Sequence, residues 1–270
     1  MIRVAIAGAG GRMGQALVEA IAGASGLSLA SALEVPGAML VGRDAGERFG
    51  RKTGVVVGTD IESALSAADV LIDFTRPEGT LSHLAICAGH GVAAVVGTTG
   101  LSPEQRSQLR VFAHKVPIVF APNMSVGVNV LLDLTQRTAR LLGAAFDIEI
   151  LEMHHKHKVD APSGTALALG EAAALGANVK LDEQGVFERH GVTGERKPGS
   201  IGFATLRGGD VVGEHTVVFA GAGERIELTH RATSRQNFAG GALRAARFVA
   251  QKRSERAHGL FDMADVLGLR

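Results

Sequence analysis

The apolar run Ile2–Ala7 passes without a gap into Gly-Ala-Gly-Gly-Arg-Met-Gly, residues 8–14. No other stretch restricts the fold so sharply. The run is short and β-branched, as a buried strand requires. Helical spacing of Met13, Leu17 and Ile21 begins inside the glycine loop itself. Strand, glycine turn and helix in succession describe the first βα unit of a doubly wound sheet. Gly8 permits the tight turn, Gly10 and Gly11 let backbone approach a ligand, and Gly14 lets the helix lie close to the strand. Met13 takes the place of the third glycine in the usual spacing, and Gly14 comes one later. N–H groups opening such a helix suit an anion. Glu34, after the second apolar run Leu27–Leu33, stands where an acid meets ribose hydroxyls. The loop reads as a seat for a dinucleotide pyrophosphate, with an ordinary structural turn as the alternative.

Strand-like and helix-like patterns alternate through the first 125 residues. Val70–Phe74, Ala93–Val96 and Ile118–Phe120 are buried-strand candidates, and helical stretches lie around Pro77–Ala88 and Pro103–Ala113. Such alternation predicts a parallel sheet with helices on both faces. After Ser125 the pattern changes. Val128–Leu142 reads as a long amphipathic helix, Phe146–Met153 as a strand, Pro162–Leu175 as an Ala-rich helix and Glu183–Ser200 as an extended polar loop. Ile201–Leu206, Val211–Phe219 and Arg225–Thr233 read as three strands. A final helix, Phe238–Lys252, can pack on either half. The fold class is α/β: a Rossmann-like doubly wound parallel sheet, then a second α+β domain with a mixed sheet.

Composition narrows the function. A net charge of +1 argues against nucleic-acid binding by bulk electrostatics. A single cysteine, Cys87, excludes an internal disulfide framework and fits a reducing cytoplasm. No apolar run approaches the roughly 20 residues of a membrane span, and the N-terminus reads as a strand, not a signal peptide.

Against that near-neutral background, Glu-Met-His-His-Lys-His-Lys-Val-Asp-Ala-Pro-Ser-Gly-Thr-Ala, residues 152–166, crowds three histidines and two lysines into His154–Lys158. A metal site is one reading. It is opposed by the neighbouring lysines, by histidines falling on both faces of an extended segment, and by the lack of an HExxH spacing. A solvated basic stretch is another. An anion pocket fits best, because crowded cations resist full protonation and drift toward neutral pKa values, which suits general-acid work. The following Pro162-Ser163-Gly164-Thr165 offers N–H and hydroxyl donors at a helix start, where a carboxylate docks. Asp160 orients the turn or a neighbouring cation. Glu149 and Glu152 are either partners of the cluster or solvent-facing strand residues. Gly97–Gly100 and Ala121–Ser125 end two more strands, where small residues leave room for a nicotinamide ring or simply form βα turns.

Taken together, these segments resemble the 4-hydroxy-tetrahydrodipicolinate reductase (dihydrodipicolinate reductase) family. The run Glu149–Ala166 carries the resemblance most specifically. The glycine loop, Asp73–Leu81, Gly97–Gly100, Ala121–Asn129 and Gly194–His215 extend it over nearly the whole chain. The resemblance implies a dinucleotide-binding domain of residues 1–125 and 235–270, and a substrate-binding and tetramerisation domain of residues 126–234, with a hinge that closes on ligand. It implies that Gly8, Ala9, Gly10, Gly11, Arg12 and Met13 hold the pyrophosphate and Glu34 the ribose. Gly97, Thr98 and Thr99, with Ala121, Pro122, Asn123 and Met124, line the nicotinamide side. His154 and Lys158 are implied as the catalytic pair, with His155, Gly164 and Thr165 on the substrate carboxylates and no metal.

The implied reaction is NAD(P)H-dependent reduction of dehydrated 4-hydroxy-tetrahydrodipicolinate in the diaminopimelate route to lysine, with Lys158 as proton donor. The implied assembly is a homotetramer and the implied substrate a small dicarboxylate; neither nucleic acid nor membrane is a partner. Val35 replaces an arginine found in some members. A cation there commonly marks a 2′-phosphate pocket, so NADH is expected to serve at least as well as NADPH unless Arg12 or Arg43 substitutes. Arg235 is left between a phosphate contact and a hinge salt bridge. The rival readings are a related two-domain amino-acid or aldehyde dehydrogenase and a non-catalytic NAD sensor.

Overall fold

The computed structural model describes all 270 residues, which form two compact units, Met1–Val126 with Arg235–Arg270 and Gly127–Ser234. The chain opens with β1 (Ile2–Ala7), α1 (Arg12–Ala22), β2 (Leu27–Leu33), β3 (Val57–Gly58), α2 (Ile61–Ser66) and β4 (Val70–Asp73). It continues through α3 (Pro77–His90), β5 (Ala93–Val96), α4 (Pro103–Ala113), β6 (Pro117–Phe120) and α5 (Val126–Leu142). Then come β7 (Asp147–His154), α6 (Gly164–Ala177), α7 (Leu181–Gln184), β8 (Gly185–Val186), β9 (Ile201–Arg207), β10 (Gly213–Gly221) and β11 (Glu224–Ala232). It closes with α8 (Gln236–Ser254), β12 (Gly259–Phe261) and α9 (Met263–Leu267).

In the first unit seven strands lie in the order β12-β6-β5-β4-β1-β2-β3, all parallel. The order reverses between β1 and β4, the switch point at which ligands of such sheets bind. Strands buried on both faces read as continuous apolar runs, and every residue of β4 and β5 is buried. On one face Val4, Ile6, Val70, Ile72, Val95 and Val119 pack with Leu17, Val18 and Ile21 of α1 and with Ala242, Ala245, Ala246 and Val249 of α8. On the other, Ala94, Val96 and Ile118 meet Leu84 and Leu109 of α3 and α4. Each large aliphatic side chain so buried contributes about 1.5–3 kcal/mol. The small residues of α8 admit close backbone approach: a Cβ on Gly241 would overlap the Met124 carbonyl.

The second unit holds five strands in the order β11-β10-β7-β9-β8, antiparallel at β11–β10–β7 and parallel at β7–β9–β8. Its inner face presents Ile148, Ile150, Phe203, Val217 and Phe219 to Leu131 and Ala139 of α5 and Leu169 and Ala173 of α6. Leu151 and Leu206, on the opposite face, are exposed.

Three strands, β3, β8 and β12, and the helices α2, α7 and α9 are additions to the sequence reading. They are too short to carry a period, so only their neighbours define them. The Ala-rich helix starts later than expected. Ser163 is the N-cap and Gly164 the first helical residue, so Pro162 precedes the helix and is not in its first turn.

Candidate active site

In the first unit the glycine loop leaves the carboxyl end of β1. Gly8 takes φ +74°, and its N–H and that of Ala9 both donate to the Leu33 carbonyl at 2.9 Å. A Cβ on Gly14 would overlap the backbone of Gly8 and Ala9, so only glycine lets α1 lie this close. Gly11 caps α1 without a side chain, which leaves the first-turn N–H groups around Arg12 and Met13 for a ligand or water. Glu34 braces the loop: Oε1 accepts from the Gly10 N–H at 2.9 Å and Oε2 from the Val35 N–H at 3.0 Å. Arg48, which the sequence did not single out, donates to the Gly10 carbonyl at 3.1 Å. Arg12, Arg48 and Arg235 line an open groove of about 430 Å³. Val35 is exposed, and Arg43 is paired with Glu47 at 3.0 Å.

The loops after β5 and β6 stand at the same edge of the sheet. The Gly97 N–H donates to the Asp73 carbonyl at 2.9 Å, and a Cβ on Gly97 would overlap the Phe74 ring. Buried Thr98 places its hydroxyl 2.7 Å from that of Thr80. Thr80 in turn donates to the Asp73 carboxylate at 3.2 Å, so the proton between the two threonines belongs to Thr98. Asp73 also accepts from the Thr75 hydroxyl at 2.6 Å and pairs with His83 Nδ1 at 2.7 Å. This buried network at the end of β4 anchors the loop carrying Thr98, while Thr99 is exposed. Ala121 donates its N–H to the Val96 carbonyl at 3.1 Å, Pro122 is exposed, Met124 is buried, and the Asn123 side chain accepts from the Ser125 N–H at 2.9 Å. The structure thus gathers Gly8–Met13, Glu34, Gly97–Thr99 and Ala121–Met124 at the carboxyl ends of β1, β2, β5 and β6. Uncapped N–H groups and side-chain-free glycines make that edge a cradle that fits a dinucleotide.

In the second unit, strand alternation puts Glu152 and His154 side by side on the inner face of β7. Glu152 is buried and accepts from five donors: His154 Nδ1–H at 2.6 Å, the Ser163 N–H at 2.9 Å, Arg207 through Nη1 at 2.7 Å and Nη2 at 2.9 Å, and the Thr205 hydroxyl at 3.4 Å. Burial opposes its ionisation, but Arg207, His154 and the Ser163 N–H together hold its pKa below the ordinary carboxylate range. An ionised carboxylate only accepts, so the His154 proton sits on Nδ1, and Nε2 hydrogen-bonds to nothing within the chain. Burial lowers the His154 pKa, Glu152 counters it, and Lys158 and Arg207 add to the lowering.

His215, on β10, packs edge-on to His154 with ring centroids 5.0 Å apart. Its Nε2 is 3.0 Å from the Ser163 hydroxyl, and burial, then His154, bring its pKa down to about 4. Lys158 Nζ pairs with Asp160 at 2.9 Å, and Arg207 also donates to the Asp160 carbonyl at 2.6 Å. His155 is half-buried, with Nδ1 unpartnered and its N–H donated to the Val211 carbonyl at 2.7 Å. Gly164 and Thr165 open α6, and the space beside Gly164 is clear. Lys156 and His157 are exposed and stand outside this group.

Of the two ambiguous glutamates, Glu152 belongs to the cluster. Glu149 lies over Gly202 and binds Arg189 at 2.7 Å and Arg196 at 3.0 Å. The i,i+2 spacing from Glu152 to His154 was a usable signal. Arg207, 55 residues from Glu152, and His215, 52 from Ser163, left none. No three His, Cys, Asp or Glu side chains converge at metal-binding distance.

Family sequence models described as dihydrodipicolinate reductase, N-terminus, and dihydrodipicolinate reductase, C-terminus, match residues 2–124 and 127–267. A 4-hydroxy-tetrahydrodipicolinate reductase of Cupriavidus metallidurans is 56% identical over 269 residues and 100% of both chains. One of Thiobacillus denitrificans is also 56% identical, over 100% of this chain and 99% of its own. Among solved structures, a dipicolinate-bound dihydrodipicolinate reductase from Paenisporosarcina is similar at a TM-score of 0.74 and 27% identity, over 98% of each chain.

Proposed function

This chain belongs to the dihydrodipicolinate reductase family, and from that premise we infer its reaction: reduction of dehydrated 4-hydroxy-tetrahydrodipicolinate to tetrahydrodipicolinate by a reduced nicotinamide dinucleotide, on the diaminopimelate route to lysine. The full-length identity to reductases of that name carries this reading.

Gly8–Met13 hold the pyrophosphate through the open end of α1, and Glu34 keeps lone pairs for ribose hydroxyls while bracing Gly10. Gly97–Thr99 and Ala121–Met124 flank the nicotinamide. When bound, the cofactor supplies a hydride to the far carbon of the substrate's conjugated C=C–C=N system. Negative charge then builds toward the ring nitrogen. Lys158 delivers the proton there, its ammonium held by Asp160, and His154 steadies the charge beside it. His155, Gly164 and Thr165 take the two substrate carboxylates at the mouth of α6. Exposed Val35 and the engagement of Arg43 by Glu47 support NADH serving at least as well as NADPH, read as a ratio of kcat/KM values. The exposed Leu151 and Leu206 on the outer sheet face support a homotetramer built through that face. The single buried Cys87 suits a cytoplasmic enzyme.

Dipicolinate, the planar diacid bound in the Paenisporosarcina relative, tests the site by calorimetric titration in the presence of NADH. His155→Ala and Thr165→Val are expected to weaken its binding by about 1–3 kcal/mol each, the scale of a lost hydrogen bond to a charged group. Unchanged affinity in both would remove the carboxylate pocket from this place.

A further inference from the structure

The carboxylate of Glu152 is 1% exposed, and the partner it orients, His154, is 11% exposed. A buried acid is no aid to packing, since a well-fitted apolar side chain is at least as stabilising at such a position. Three elements nevertheless converge on it: the end of β7 through His154, the end of β9 through Arg207, and the cap of α6 through the Ser163 N–H. Arg207 meets both carboxylate oxygens and continues to the Asp160 carbonyl, and Asp160 is the partner of Lys158.

The groups facing the His154 ring are Glu152 from its own strand, Arg207 from β9, His215 from β10 and Lys158 from the following turn, with His230 of β11 behind His215. Arg207 and Lys158 repel a proton on His154, His215 is held neutral by its burial, and Glu152 alone attracts one. The other side of the ring is equally restricted, because a Cβ on Gly213 would come within 2.9 Å of His154 Nε2.

We propose that Glu152, clamped by Arg207, is a positioning residue for the reduction: it fixes the Nδ1–H tautomer of His154, turns Nε2 outward, and lets the ring carry a proton among cations. This rests on the reading of His154 as a member of the catalytic pair.

The test is Glu152→Gln, which keeps the shape and removes the charge. Two quantities are read: the titration of the His154 ring by NMR in the NADH-bound enzyme, and the pH profile of kcat. The His154 titration is expected to move down by about one pH unit or more. The limb of the kcat profile should move with it, kcat should fall about 10- to 100-fold, and the KM for NADH should stay unchanged. An unmoved His154 titration overturns the proposal. A moved titration with unchanged turnover also overturns it, and places the fault in the catalytic role given to His154, not in the pairing. Should the unpaired Arg207 prevent folding, Glu152→Gln is made on an Arg207→Gln background and read against Arg207→Gln alone, so that the lost arginine is common to both chains and the same two outcomes decide.

Discussion

Lys158 and Asp160 are two positions apart in the chain and 2.9 Å apart at their charged ends. The pair is partly solvated and adds little stability, so Lys158→Ala separates catalysis from folding: turnover is expected to fall about 10²–10⁴-fold while the thermal midpoint hardly moves. Near-normal turnover would remove Lys158 from the proton path. His215 makes the opposite kind of prediction. Burial depresses its pKa to about 4 in the folded chain, below the ordinary imidazole value of about 6.5, so the unfolded chain binds the extra proton first. Stability is therefore full above about pH 6.5 and is lost progressively as pH falls toward about 4. Denaturant unfolding across that window checks it, and His215→Gln should flatten the slope. At this scale the sequence was legible wherever chemistry is crowded locally. His154, Lys158 and Asp160 announce themselves within one turn of chain. Arg207 and His215 reach the same pocket from distant strands, and only the register of β7 with β9 and β10 brings them in.

Among elements, α1 and β2 were legible almost to the residue because each carries a period and a boundary signal, the glycine loop before α1 and Glu34 after β2. β12 was not: its three residues gain meaning only by pairing with β6. The start of α6 is the element whose capping bears on the site. The Ser163 hydroxyl accepts from the Ala166 N–H at 3.1 Å and meets His215, so Ser163→Ala removes a cap and a buried partner together. A loss of about 1–2 kcal/mol is expected, measured by urea unfolding, with a raised KM for the dicarboxylate. Wild-type stability in that variant would show that the cap is dispensable.

For the molecule as a whole, two stretches of chain that differ in pattern make two units that differ in architecture. The first reads as alternation of strand and helix and folds as a parallel sheet. The second reads as strands in hairpin spacing and folds as a mixed one, whose outer face keeps Leu151 and Leu206 exposed. On the proposed homotetramer, replacing both with glutamate is expected to lower the mass seen by light scattering below that of four chains, with the far-ultraviolet circular dichroism retained. An undiminished tetramer would move the interface elsewhere. Which substrate the pocket receives was legible only through the family resemblance carried by Glu149–Ala166, and the full-length kinship supports that reading. The direct measurement is loss of NADH absorbance by the purified chain with and without freshly generated 4-hydroxy-tetrahydrodipicolinate. Oxidation that depends on that substrate and yields tetrahydrodipicolinate is the predicted result, and NADH left untouched in its presence would contradict the account.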